Sequence, residues 1–80
     1  MRFEKGKNMF KLGDTVTIKN LTDAERAQYP YYNTIMKEYE QQMGQITRIS
    51  HMEYVVEYTD RQKWYWPKEW IKPATVYDAF

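Results

Sequence analysis

All three tryptophans of the chain lie within seven residues, in the stretch KWYWPKEW at positions 63–70. Trp64 and Trp66 alternate with Tyr65, which predicts a β-strand with tryptophan on one face and tyrosine on the other. Pro67 ends that strand because it has no N–H to donate, and residues 68–70 have the length of one tight helical turn. A chain of 80 residues needs its largest side chains for stability, so this stretch predicts part of the hydrophobic core.

The composition is typical of one folded domain. Apolar residues make up 42% of the chain and aromatic residues 18%, and there is no cysteine. The lack of cysteine excludes disulfides, thiolate metal sites and thiol nucleophiles, and it favours a reducing compartment, so we predict a cytoplasmic protein. Residues 1–10 carry charges without an apolar run behind them, which predicts neither a signal peptide nor a membrane partner.

Alternating hydrophobicity predicts five short strands. In the second strand the apolar residues Ile46 and Ile49 have an odd spacing, which indicates a β-bulge. Gly13 and Asp14 form a turn signal before the first strand, and a polar loop at residues 59–61 predicts a hairpin. The predicted strands occupy residues 15–19, 45–50, 53–58, 63–66 and 71–73.

A helical insertion is predicted at about residues 22–43, after the first strand. Thr22 and Glu25 have the spacing of a capping box, which predicts a short helix. A second helix, capped by Asn33 or the next residue, is predicted from an apolar face with a four-residue period: Ile35, Tyr39 and Met43. Glu40 lies off this face, so we predict that its carboxylate is solvated.

The predicted domain extends over residues 9–73, with a mobile leader at residues 1–8 and a tail at residues 74–80. Its core is predicted from the apolar positions of the strands and of the last turn. These positions are Phe10, Val16, Ile18, Ile46, Ile49, Val56, Tyr58, Trp66, Trp70 and Ile71.

The segments FKLGDTVTI, GQITRI, YVVEYTD and WYWPKEWIKP resemble successive parts of SH3-like barrels. The resemblance covers residues 10–73 except residues 20–43, and the pattern is similar to the small barrel of the nitrile hydratase β subunit and to KOW-type barrels. It implies a mainly β fold, a five-stranded SH3-like barrel with the helical insertion after its first strand. Many KOW-type barrels bind RNA or polymerase, and small barrels of bacteria and phages act as accessory proteins. Fold resemblance alone does not select among these functions.

The residues that carry enzyme chemistry are sparse. His51 is the single histidine, and a turn beside Ser50 predicts an exposed loop residue rather than a general base. Glu57 and Asp60 flank the predicted hairpin, where solvated charges are the favoured interpretation. No glycine-rich phosphate loop and no cluster of metal ligands is present in the sequence, so we predict no catalysis, no cofactor and no metal site.

The aromatic residues exceed what the predicted core can hold, with eight Tyr, three Trp and three Phe. A barrel of this size encloses about a dozen large side chains. The resemblance implies that the insertion lies near the hairpin of the third and fourth strands. We therefore predict a partner-binding surface, with cover for the core as the alternative interpretation, at Tyr29, Tyr31, Tyr32, Trp64 and Tyr65.

A protein partner is the first prediction for this surface, because aromatic hot spots suit a chain whose net charge is only +1. A small phage or mobile-element protein that modulates a host factor would fit this description. Self-association into a homodimer through a strand edge is a further alternative. Single-stranded nucleic acid is the second prediction, with base stacking on aromatic rings supported by Arg48, Arg61, Lys63 and Lys68.

Overall fold

The computed structural model describes residues 10–74, so the predicted leader and residues 75–80 of the predicted tail lie outside the described residues. Five antiparallel strands form one sheet, in the spatial order fourth, third, second, first, fifth. The mainly β fold is therefore confirmed. The elements are β1 (Thr15–Ile18), α1 (Asp23–Gln28), an insertion 3-10 helix (Thr34–Tyr39), β2 (Gly44–Ile49), β3 (Glu53–Glu57), β4 (Lys63–Pro67), a terminal 3-10 helix (Lys68–Trp70) and β5 (Ile71–Pro73).

Within residues 10–74 the sheet does not close into a barrel, so the predicted five-stranded barrel is confirmed only as one five-stranded antiparallel sheet. In the described part of the chain, β4 pairs only with β3 and β5 pairs only with β1, so both are edge strands. Each of them ends in a proline, Pro67 or Pro73, which has no N–H for a further ladder. Proline at these ends therefore suits strands that stay at the margin of the sheet.

The insertion contains one short α-helix and one 3-10 helix, so it is less helical than predicted. The capping box is confirmed: the Glu25 amide donates to Thr22 Oγ1 at 3.1 Å, and the Thr22 amide donates to Glu25 Oε1 at 2.8 Å. The Asn33 cap is also confirmed, because its Oδ1 accepts from the Ile35 amide at 2.9 Å and from the Met36 amide at 3.3 Å.

The apolar face predicted for the second helix is wrong for two of its three residues. A 3-10 helix has three residues per turn, so residues three apart share a face. Met36 and Tyr39 are therefore buried together, whereas Ile35 and Met43 are exposed. Met36 is only 1% exposed and Ile35 is 57% exposed, so the period decides which of two neighbouring apolar residues enters the core.

The core confirms most of the predicted positions: Val16, Ile18, Ile46, Val56, Tyr58, Trp66, Trp70 and Ile71 are buried. Phe10 is partly buried and packs edge-on against Tyr54, with ring centroids 5.8 Å apart. Ile49 is exposed and that prediction is wrong, since β1 pairs with β2 only at Gly44 and Gln45 and leaves the far end of β2 uncovered on that side. Tyr54 is also buried, although it is not among the predicted core positions.

The predicted bulge in β2 is confirmed between Ile46 and Arg48. Ile46 pairs with Val56, and the next pair joins Arg48 to Val55, so the extra residue restores the alternation of the two faces. The bulge thus keeps Ile46 in the core while Arg48 points to the outer face of the sheet.

Candidate partner-binding surface

An ion pair holds α1 against the end of the insertion 3-10 helix. Glu40 is 4% exposed, and its carboxylate accepts from Arg26 Nε at 3.0 Å and from Arg26 Nη2 at 2.9 Å. The Tyr32 hydroxyl donates to the same carboxylate at 2.6 Å. Burial alone would raise the pKa of Glu40, but the hydrogen bonds from Arg26 and Tyr32 outweigh it and hold the pKa below its ordinary value.

One prediction is corrected by this ion pair, and the position of a second predicted residue is defined. Glu40 is buried rather than solvated, because a bidentate partner compensates its charge. Tyr32, one of the residues predicted for partner binding, directs its hydroxyl to Glu40, and burial followed by this bond raises its pKa to about 12. Tyr32 therefore supports the insertion through its hydroxyl, and its ring is half-buried.

Tyr29 connects the end of α1 to the edge of the sheet. Its hydroxyl lies 3.1 Å from Glu53 Oε2 and 3.1 Å from the carbonyl oxygen of Tyr65, and a single proton is shared between these two acceptors. Its ring packs edge-on against Trp70, with centroids 5.3 Å apart. Burial and then the hydrogen bond to Glu53 raise the pKa of Tyr29, so it stays a neutral donor.

A surface pocket of about 310 Å³ opens beside this connection. Two of its rings are widely exposed, since Tyr31 is 71% and Tyr65 45% accessible to solvent. Trp64 is half-buried, and its ring centroid lies 5.7 Å from that of Tyr39. We call this feature the aromatic pocket, and its lining residues are Tyr31, Met36, Glu53, Trp64 and Tyr65.

The structure thus brings together three of the five predicted partner-binding residues, Tyr31, Trp64 and Tyr65. Tyr29 lies behind them, with its ring centroid 5.7 Å from that of Tyr31. The other two lining residues were not predicted from the sequence. An assumed α-helical period did not place Met36 on the buried face. Glu53 is the first residue of a predicted strand, and no sequence pattern distinguishes it as a binding residue.

The four cations predicted for nucleic-acid binding lie on four different segments of the fold. Lys63 lies opposite Glu57 in the β3–β4 ladder, and Arg61 sits in the hairpin with a positive φ of 72°. Lys68 follows the other end of β4, with its amine 5.3 Å from the centroid of the Tyr54 ring. β4 has five residues, so its ends lie roughly 13 Å apart. Arg48 is on β2, across from Val55 on the outer face.

No catalytic arrangement is visible around His51 within residues 10–74. His51 is exposed, and the neighbouring Ser50 hydroxyl donates to the Glu53 carbonyl oxygen at 3.1 Å instead of to a base. In the same residues no group of three or more histidine or acidic side chains could hold a metal ion. None of the helices in this described range is long and apolar enough to span a membrane.

Comparison with protein families, with curated proteins and with solved structures finds no match to this chain. The similarity to SH3-like barrels therefore stays a prediction.

Proposed function

We propose that this chain is a non-catalytic interaction module that binds a segment of a partner protein in the aromatic pocket. The observation that carries the proposal is that the exposed rings of Tyr31 and Tyr65 line the same surface pocket. Tyrosine and tryptophan give large contact area for few rotatable bonds, which is why they are frequent in binding hot spots.

Two walls of the pocket, Met36 and Trp64, are held in place by the core, which supports a partly preformed site. Met36 belongs to the insertion 3-10 helix and is buried in the core. Trp64 lies opposite Val56 in the β3–β4 ladder and packs against Tyr39. Tyr29 links Glu53 to the main chain of Tyr65. A site whose side chains are already ordered loses less conformational entropy when a partner binds.

The order of the elements supports the relation to SH3-like barrels that the sequence implies. A long insertion follows β1, and a single helical turn separates β4 from β5. Within that group, we favour a small cytoplasmic accessory protein of a bacterium or phage that modulates a host factor. The aromatic pocket is the surface through which it would act.

Single-stranded nucleic acid remains the second candidate, because Arg48 and Tyr65 both flank Val55 on the outer face of the sheet. A cation beside an exposed ring suits a stacked base and its phosphate. The scattered positions of the other three cations and the net charge of +1 favour the protein partner.

A peptide library displayed on phage, selected against the immobilised protein, tests the proposal. We expect selected peptides to bind Tyr31→Ala at least about tenfold more weakly than the unaltered protein, because a hot-spot ring is lost. Leu12→Ala is the matched control, since Leu12 is an exposed apolar residue that does not line the pocket. Peptides that bind all three proteins equally would contradict the proposal.

Tryptophan fluorescence titrated with mixed-sequence single-stranded DNA tests the second candidate. Quenching that saturates and weakens steeply with added salt would favour nucleic acid, since counterion release has this signature. Unchanged fluorescence at low salt would show that single-stranded DNA does not bind beside the tryptophans. Both experiments use the full chain.

A further inference from the structure

The aromatic pocket contains one carboxylate among its rings, and this combination determines the chemistry of its occupant. We infer that the pocket receives the cationic head of a partner side chain, a lysine, a methylated lysine or an arginine. This inference rests on the proposed function and specifies the partner residue that enters the pocket. The aromatic walls of the pocket are Tyr31, Trp64 and Tyr65, and its charged residue is Glu53.

The rings supply the first attraction. The face of an aromatic ring carries partial negative charge, so a cation within about 6 Å of the ring centroid is stabilised, most strongly by tryptophan. The pocket has one tryptophan and two tyrosines around a space of about 310 Å³. That volume is at the lower end of ordinary ligand sites, which suits one side-chain head better than a whole helix.

Glu53 supplies the second attraction. It is half-buried, and within residues 10–74 its carboxylate forms no ion pair; its one hydrogen-bond donor there is the Tyr29 hydroxyl. A neutral hydroxyl orients the carboxylate without cancelling its charge. Because Glu53 lines the pocket, its negative charge is available there for a cation from outside.

Other occupants fit less well. An acidic group would be repelled by Glu53, and a purely apolar group would take water away from a carboxylate without replacing its charge partner. Pairing of a partner strand with β4 beside the pocket is also disfavoured, since the Tyr65 carbonyl already accepts from Tyr29 and Pro67 has no N–H. A cationic side chain satisfies both the rings and the carboxylate.

Choline and its uncharged isostere 3,3-dimethylbutan-1-ol test the inference, because they have nearly the same shape and differ in charge. Proton–nitrogen NMR spectra would follow the indole N–H of Trp64 and the backbone amides of Tyr31, Glu53 and Tyr65. We expect choline to shift these signals in a saturable way, with the isostere binding about fivefold more weakly or worse. Sodium chloride at equal ionic strength should leave them unchanged.

Glu53→Gln keeps the size of the side chain and removes its charge, so it should weaken choline about fivefold while leaving the isostere unaffected. Glu57→Gln is the matched control, since Glu57 lies on the same strand and faces Lys63 instead of the pocket. If Glu53→Gln does not fold, Tyr31→Ala replaces it, since an exposed ring contributes little to stability. Equal binding of choline and the isostere, or of choline to Glu53→Gln and the unaltered protein, would overturn the inference.

The peptide selection separates this inference from the proposed function. Selected peptides that depend on Tyr31 but contain no lysine or arginine would support the protein partner and overturn the cationic occupant. Choline binding that depends on Glu53, in the absence of any selected peptide, would support the cation preference and contradict a peptide partner. Peptides whose affinity falls when their lysine is replaced by norleucine would support both.

Discussion

Arg26 and Glu40 form a two-point ion pair, with Arg26 Nε 3.0 Å from Glu40 Oε2 and Arg26 Nη2 2.9 Å from Glu40 Oε1. Arg26 belongs to α1, and Glu40 is the C-cap residue of the insertion 3-10 helix. Their contact therefore joins the two helical segments of the insertion. Because the carboxylate is buried, removal of the arginine would leave a charge without its compensating partner.

We expect Arg26→Ala to lower the melting temperature by about 10 °C or more, as breaking a buried charge pair does in a domain of this size. Asp23→Ala is the control, since Asp23 contacts the same arginine at 2.7 Å but its side chain is 97% exposed. Exposed pairs contribute little, so the control should change the melting temperature by only a few degrees. Equal effects of the two changes would contradict the assigned burial of Glu40. Thermal unfolding followed by circular dichroism provides the measurement.

Stability should decrease when the pH falls below about 4.5, the ordinary pKa of a glutamate. The folded-state pKa of Glu40 is lowered, so the folded protein binds this proton more weakly than the unfolded chain does. Acid therefore favours unfolding, and the contribution of Glu40 is present above its unfolded pKa and lost as the pH falls through its folded pKa. Urea unfolding between pH 7 and pH 3 measures this dependence.

Glu40→Gln identifies the share of that dependence that belongs to Glu40, because the carboxylates of Glu25 and Asp60 also have lowered pKa values. The variant should be less stable than the unaltered protein at neutral pH, and its stability should change less between pH 5 and pH 3. An unchanged pH dependence in Glu40→Gln would show that other carboxylates account for the loss in acid.

Met36 and Ile35 are adjacent apolar residues with opposite environments, and they test the 3-10 geometry. Met36→Ala should lower the free energy of unfolding by about 2 to 5 kcal/mol, because it leaves a cavity in the core. Ile35→Ala should change it by no more than about 0.5 kcal/mol, since the side chain is exposed. Chemical denaturation measures both. An α-helical period in solution would instead make Ile35 the costly position.

Two glycines make a similar pair of tests with different physical causes. A Cβ atom at Gly44 would lie 2.5 Å from Val56 Cγ1 and 2.8 Å from the Glu57 carbonyl oxygen, so Gly44→Ala forces β2 away from β3. We expect a loss of about 2 to 3 kcal/mol, in the upper part of the range for overpacked sites, because one of the two closest atoms belongs to the backbone. Gly13→Ala meets no atom within 4 Å, and its φ of +90° makes strain the whole effect, about 1 kcal/mol. Equal losses at both sites would contradict the close approach at Gly44.

Local sequence signals predicted the elements of this fold well. The Thr22 capping box, the Asn33 cap and the bulge after Ile46 all depend on residues within a few positions of one another, and each is confirmed. The alternation of Trp64, Tyr65 and Trp66 likewise placed Trp66 in the core and Tyr65 at the surface. These features follow from backbone geometry that neighbouring residues determine.

Contacts between distant residues could not be predicted in the same way. Arg26 and Glu40 are fourteen positions apart, with no shared pattern, and their pairing exists only because the insertion folds back on itself. Glu53, which lines the aromatic pocket, accepts a hydrogen bond from Tyr29, twenty-four positions away in the sequence. The burial of Met36 was not predicted, because the segment was assumed to have the α-helical period of 3.6 residues per turn. The three-residue period of a 3-10 helix predicts it.

The register of β1 against β5 has a consequence for how the chain folds. Thr17 lies opposite Lys72, close to the two ends of the described residues, whereas β2, β3 and β4 follow one another through short hairpins. Closing a long loop costs more entropy than closing a hairpin, so we expect the three-strand meander to form before the rate-limiting barrier and the β1–β5 pair to form after it. Val56→Ala would then slow refolding, whereas Ile71→Ala would mainly accelerate unfolding in stopped-flow experiments, and the reverse pattern would contradict this order. The last step of folding would then be the pairing of β1 with β5. A spectroscopic probe near either end of the described residues would therefore show when folding is complete.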